Sequence, residues 1–178
     1  MAWSASLSAA PSSPTATVHC RPVATPAELE EHLRIRERVF VDEQGVFSVT
    51  DRDEHDADPG TVHVLGFCDG EVAGTVRLFR LDGGQTWQGD RLAVLPAYRS
   101  RHVAAPLVGF AVGTAGALGG RVMRAHVQVA NVGFFLRLGW TALGAPADYL
   151  GRPHQDMMIE LEPRPVRTPS ARTTGPPR

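Results

Sequence analysis

The chain has 178 residues, 43% hydrophobic and 21% charged, which suits a single globular domain with a sizeable core. A formal net charge of −1, from 18 basic and 19 acidic residues, argues against general nucleic-acid binding, which favours basic patches. No run of 18 apolar residues is present, so no membrane span is expected; Cys20 and Cys68 stand alone without metal-ligand spacing, as suits a reducing cytoplasm.

Residues 1–16 are rich in Ala, Ser and Pro and lack a basic start, so they read as a disordered leader and not a secretory signal. "TVHCRPV" (17–23) reads as a first strand. In "TPAELEEHLRIRERVF", Thr25 is a candidate N-cap, Pro26 the first helical residue and Glu28 the third position of a capping box. Leu29, Leu33, Arg36 and Phe40 recur at helical spacing and define the inward face. "TVHVLGFC" and "EVAGTVRLF" flank Asp69-Gly70, a hairpin signal. "RLAVL" (91–95) predicts a short strand, 106–118 a helix closed by Gly119-Gly120, and "RVMRAHVQV" (121–129) a further strand. "NVGFFLRLG" predicts a short helix and "HQDMMIELE" (154–162) a last strand. Residues 163–178, rich in Pro, Arg and Thr, read as a disordered tail, which leaves 17–162 as the folded domain. This order describes a mixed α/β sheet with helices on its faces.

The connection "YRSRHVAA" (98–105) crowds Arg99, Arg101 and His102 into a turn that opens a helix of small and apolar residues. A helix N-terminus presents unpaired N–H groups and partial positive charge, and flanking guanidinium groups favour an anion there further. Pro106 fits the first turn at no cost, and Gly109, Gly113 and Gly116 imply close approach of the sheet. The alternative is a solvated basic turn with glycines serving packing alone.

With Ala93, Val94, Leu95, Pro96, Arg99 and Ala104, the chain resembles the GNAT superfamily of acyl-CoA-dependent N-acetyltransferases, in which a strand ends in a V-x-P-type stretch before [RQ]-x-x-G-x-[GA] at a helix start. "NVGFFLRLGW" is similar to the family's later asparagine and aromatic segment, and "RERVFVDEQGVF" and "GRPHQDMMIEL" resemble its ElaA-like branch. The resemblance implies a mixed, mostly antiparallel central sheet with helices on both faces. It implies a coenzyme site of Leu92, Ala93 and Val94 on the strand, Arg99, Ser100, Arg101, His102, Val103 and Ala104 on the turn, and Asn131, Phe134 and Phe135 beyond. Two residues depart from the pattern. His102 replaces the central glycine, and a negative φ there would keep its backbone N–H available; Phe135 replaces a tyrosine that protonates the leaving thiolate.

The same resemblance implies acetyl-CoA as co-substrate and a small-molecule amine acceptor; charge, the lack of an apolar run, the lone cysteines and the absence of ligand spacing add the expectations of no nucleic-acid or membrane partner, a cytoplasmic location and no metal, with a homodimer left open. An attacking amine must lose a proton, directly or through water. Asp90, just before the coenzyme strand, is the first candidate base; His126, which projects opposite Met123, Ala125 and Val127, is the second. Glu43 and Gln44 fall where this branch turns toward the acceptor, and His154 borders the cleft. The acidic stretch "DRDEHDADPGTVH" (51–63) lacks the spacing of a zinc or EF-hand site and reads as a solvated loop, with Asp53 or Asp56 available to a cationic acceptor. "RERVF" and "DRDEHD" are also similar to the R-x-x-x-F helix and acidic loop of acyl-homoserine lactone synthases, one alternative. A catalytically degenerate acyl-CoA-binding regulatory module is the other, on the strength of His102 and Phe135.

Overall fold

The computed structural model describes residues 16–81, 83–149 and 151–162. The expected leader, apart from Ala16, and the expected tail lie outside the described residues; Ala16 itself packs against the core.

Strand β1 spans Val18–Pro22 and leads into helix α1, Pro26–Arg36. The Thr25 hydroxyl accepts the Glu28 N–H at 3.2 Å. The Glu28 carboxylate turns back to the Ala24 N–H at 2.8 Å and also pairs with Arg21, which holds its pKa down to about 2. Sequence alone suggested one helix through Phe40; α1 instead widens into a π-helical segment, Glu37–Glu43. Such a bulge re-aims the side chains that follow, Gln44 among them. The acidic stretch forms a 3₁₀ turn, Glu54–Ala57, with Asp53 as its N-cap.

Strands β2 (Val62–Cys68) and β3 (Glu71–Arg80) form the expected hairpin, with Asp69 at φ 51° and Gly70 at φ 89° supplying the turn. Strand β4 covers Thr86–Val94, well beyond the 91–95 read from sequence. Gln, Gly and Asp mask its first half, yet Trp87 is 1% exposed and anchors it in the core. A 3₁₀ turn, Pro96–Arg101, precedes α2 (Ala104–Ala117), then come β5 (Val122–Gln128), α3 (Val132–Arg137), β6 (Thr141–Tyr149) and β7 (Arg152–Glu160). β6 escaped the sequence reading because it is an exposed edge strand of small residues, broken by Gly and Pro, without hydrophobic alternation.

The seven strands form one sheet in the order β1-β2-β3-β4-β5-β7-β6, and only β4 and β5 run parallel. Among the described residues no helix is long and apolar enough to cross a membrane. The core lies on both faces. Ile35 and Val39 pack with Leu65, Phe67 and Ala93 on one, while α2, with Leu107 and Ala111, packs on Val64, Val76, Leu78 and Met123 on the other. The close approach of α2 to the sheet comes from strand glycines, not helix glycines. Gly66 pairs with Gly74, and Leu107 sits over both, so that a Cβ on Gly66 would lie 2.9 Å from Leu107 and one on Gly74 would lie 2.6 Å from the Ala93 carbonyl. Around Gly109 and Gly113 there is open space, and only Gly116 is hemmed in, by the Glu162 backbone.

Gly113→Ala is therefore expected to raise unfolding stability by about 1 kcal/mol, since it removes a helix-interior glycine without a clash. Gly74→Ala is expected to lower it. Denaturant unfolding of the two variants checks both signs; a destabilised Gly113→Ala would contradict the packing described.

Candidate active site

β4 and β5 pair only through Thr86–Gln88 and Val122–Arg124. Beyond that fork β4 continues to Val94 beside β3, and β5 to Gln128 beside β7, so a gap opens between them. A bulge in β4 marks the parting. Arg91 and Leu92 together face the single residue Val76, with Arg91 at φ 51°, and the Thr75 hydroxyl donates to the Arg91 carbonyl at 3.1 Å.

The bulge is held by buried charge. Arg77, fully buried, donates Nε and Nη2 to both oxygens of Asp90 at 2.9 and 2.7 Å, and reaches Asp53 and Asp56 at 2.6 and 2.8 Å. Arg36, also fully buried, donates to Asp51 at 2.7 Å and Asp56 at 2.5 Å; Arg91 pairs with Asp51 and Asp53 and lies over the Phe47 ring. Burial disfavours charge on Arg77, but the hydrogen bonds to Asp90 and Asp53 outweigh it and raise its pKa above the ordinary guanidinium value. Burial likewise opposes ionisation of Asp56, and Arg36 and Arg77 more than offset this, so its pKa lies well below the carboxylate range. The acidic loop is therefore a clamp on arginines, not the solvated loop read from sequence. A charged Arg36 at an inward helical position was the available signal.

At the far end of β4 the Leu95 N–H donates to the Ala73 carbonyl on β3 at 2.9 Å. Strand alternation turns the Val94 amide the other way, into the gap; its carbonyl accepts the Arg99 Nε at 3.1 Å. The turn follows, with Ser100, Arg101 and His102 exposed, Val103 buried as the α2 cap residue and Ala104 opening the helix. His102 takes φ 60°, ψ 30°, so the negative φ considered from sequence is not adopted. The backbone keeps a glycine-like left-handed geometry, which an exposed imidazole tolerates at a cost of about 1 kcal/mol.

A parted parallel pair, a bulge at the fork and an exposed basic turn leading into α2 follow one another along the chain, and the sequence profile of the acetyltransferase (GNAT) family matches residues 27–140. The chain belongs to this family. It is 28% identical over 140 residues to the uncharacterised protein YyaT of Bacillus subtilis, covering 78% of this chain and 93% of that one. Its fold is similar to that of Escherichia coli ElaA, with TM-score 0.71 and 21% identity over 80% of this chain and 99% of ElaA. It is also similar to BjaI, a CoA-dependent acyl-homoserine lactone synthase solved with SAM and isopentyl-CoA, with TM-score 0.66 and 18% identity over 83% and 84% of the two chains.

Within this GNAT framework the parted strands line a cavity of about 380 Å³, which brings together Leu92, Asp90, His126, Asn131, Phe135, Gln44 and His154. Ala93 is buried on the α1 side and paired with Thr75, and Phe134 packs edge-on against Phe135. Glu43 does not line the cavity. It pairs with Arg99 at 2.7 Å, which raises the pKa of Arg99 and lowers that of Glu43. Gln44 accepts from Gln128 at 3.2 Å, and the ring of His154 bonds the Arg152 carbonyl at 2.9 Å. Asp90 faces the cavity with both oxygens engaged by Arg77.

Sequence reading missed Asp156 and Tyr149. Asp156 lies directly across β7 from His126, its Oδ1 2.5 Å from the His126 Nδ1, and Tyr149 stacks on that imidazole with ring centroids 5.0 Å apart. The 30-residue separation leaves no local pattern to reveal the pair. A carboxylate only accepts, so Nδ1 carries a proton, and in the neutral imidazole Nε2 holds the lone pair. Neither cysteine lines the cavity, and burial pushes the Cys20 thiol up to about 11.

Arg77→Ala is expected to cost about 3–5 kcal/mol, because it removes the bidentate partner of Asp90 and leaves Asp53 to Arg91 and Asp56 to Arg36 alone. Chemical denaturation measures this; a loss below 1 kcal/mol would contradict the clamp.

Proposed function

We propose that the protein is an N-acyltransferase that moves an acetyl or other short acyl group from coenzyme A to a small amine by direct attack in a ternary complex. The observation that carries this reading is the Val94 amide turned into the gap between β4 and β5, beside a turn built to favour an anion. The coenzyme diphosphate would rest on the amides and guanidinium groups of positions 99–104, Arg99 exchanging Glu43 for phosphate, and the arm would run along β4 past Leu92 and Val94 with Asn131, Phe134 and Phe135 beside it. A strand N–H there polarises the thioester carbonyl, a contribution on the order of 3 kcal/mol.

His126 is the base in this reading. Asp90, with both oxygens held by Arg77, has no oxygen free of a charged partner, whereas the Nε2 lone pair of His126 is set by Asp156. The ammonium gives one proton to His126, the freed amine nitrogen bonds the thioester carbon, the C–S bond breaks, and the second proton lost from that nitrogen goes to the departing thiolate or to water. The thiolate leaves without an acid from Phe135, which its ordinary pKa of about 8.5 permits. Three guanidinium groups (Arg36, Arg77, Arg91) face four carboxylates (Asp51, Asp53, Asp56, Asp90), and the surplus negative charge reaches the cavity at Asp53 and Asp90. That charge favours a cationic amine, with Gln44 and His154 lining the same cavity to orient it.

A lactone-synthase reading draws on one observation: Arg36 and the acidic loop, the two parts of that resemblance, meet directly. A bioassay for lactone signals distinguishes it.

His126→Gln is expected to lower kcat by a hundredfold or more with little change in the donor KM, and Arg99→Ala to raise the donor KM more than the amine KM. Steady-state kinetics on an amine panel tests both. An unchanged kcat in His126→Gln would remove His126 from the mechanism.

A further inference from the structure

The cavity has two limbs of opposite chemistry, because it passes through the sheet at the fork. On the α1 face its wall mixes charge with aromatic rings: Asp53, Asp90, Arg91 and His126 lie beside Phe47 and Phe79. On the α2 face the wall is apolar: Val76, Val108, Ala111, Met123, Ala125 and Phe135, each no more than 8% exposed and all part of the main core cluster. Trp140, 4% exposed, lines the same cavity, and among the described residues its indole N–H has no partner.

Resting on the acyltransferase reading above, we infer that the apolar limb is a pocket for the donor's acyl chain, sized for a chain longer than acetyl. An apolar cavity lowers stability in proportion to its volume, so a core serving only the sheet would close it with larger side chains. Here small residues keep it open. Ala111 and Ala125 form two of its walls. Met123 is unbranched and can shift to admit a chain. Phe135 adds no polar atom to this limb.

Position assigns the occupant. A carrier anchored at the turn approaches the fork from the open end of the gap, so its thioester meets the two limbs together. The amine is favoured on the charged side, beside His126. The remaining limb, free of ionisable groups, suits the hydrocarbon tail of the acyl group.

The test is calorimetric titration of the full chain with CoA, acetyl-CoA, butyryl-CoA and hexanoyl-CoA, which needs no knowledge of the acceptor. Burial of each methylene should tighten binding roughly three- to fourfold while the pocket lasts, so hexanoyl-CoA is expected to bind at least tenfold tighter than acetyl-CoA. Ala111→Phe, which fills the limb, is expected to bring that ratio close to one; should this variant fail to fold, the wild-type series decides alone. Affinity that is flat or falls with chain length overturns the inference and leaves the acyltransferase reading standing, as does a ratio that survives in folded Ala111→Phe. Failure of every CoA species to bind removes both.

Discussion

The parting of β4 from β5 is the constraint on which the rest of this molecule turns. A parallel ladder of three residue pairs is too short to hold two strands side by side over their full length, and the β4 bulge at Arg91 bends the strand away where the ladder stops. A bulge costs ladder hydrogen bonds, and something must make the bent form the stable one. Arg77 does so from β3, by fastening Asp90 immediately before the bulge. Arg91 does so from the bulge itself, by reaching Asp51 and Asp53. The loop that supplies those carboxylates is itself tied back by Arg36 of α1. The cleft is thus opened by a network spanning α1, the acidic loop, β3 and β4, and its wall inherits that network's surplus charge.

Buried ion pairs contribute little net stability on their own, since desolvation offsets much of their attraction. What they give here is geometry: bidentate contacts fix the direction of β4 where a hydrophobic contact would allow it to slide. The same reasoning separates the two sides of the sheet. The α1 face carries charge because the clamp lies there, and the α2 face is free to be apolar. A reaction that joins a polar nucleophile to an acyl group suits such a division. On the turn, Arg99 is already paired with Glu43, so in the proposed reading a diphosphate competes with a carboxylate for that guanidinium group. Exchange of this kind selects for multiply charged anions over weak ones.

Much of the architecture was legible in local pattern. Thr25, Pro26 and Glu28 announced the start of α1; Asp69-Gly70 announced the hairpin; alternation at Met123, Ala125 and Val127 announced β5 and the outward side of His126. β6 was not legible, because an exposed edge strand of small residues carries no periodicity, and the first half of β4 was hidden behind Gln, Gly and Asp. For the site, residues 98–105 and the position of His126 could be read, whereas its partner could not. Asp156 and Arg77 act through strand register, which brings together residues remote in sequence. The acidic loop misled for the same reason: its carboxylates look solvated until the arginines opposite them are seen. Glycines in α2 suggested close packing that Gly66 and Gly74, in the sheet, provide instead.

The account stands on the gap between β4 and β5, with the turn beside it, as the seat of an acyl thioester carrier. Amide hydrogen exchange of the whole chain, with and without saturating coenzyme A, tests this most directly. Slowed exchange is predicted at Val94 and across positions 101–105, with little change in β1 and β2. Protection confined to other segments, or none anywhere, would contradict it.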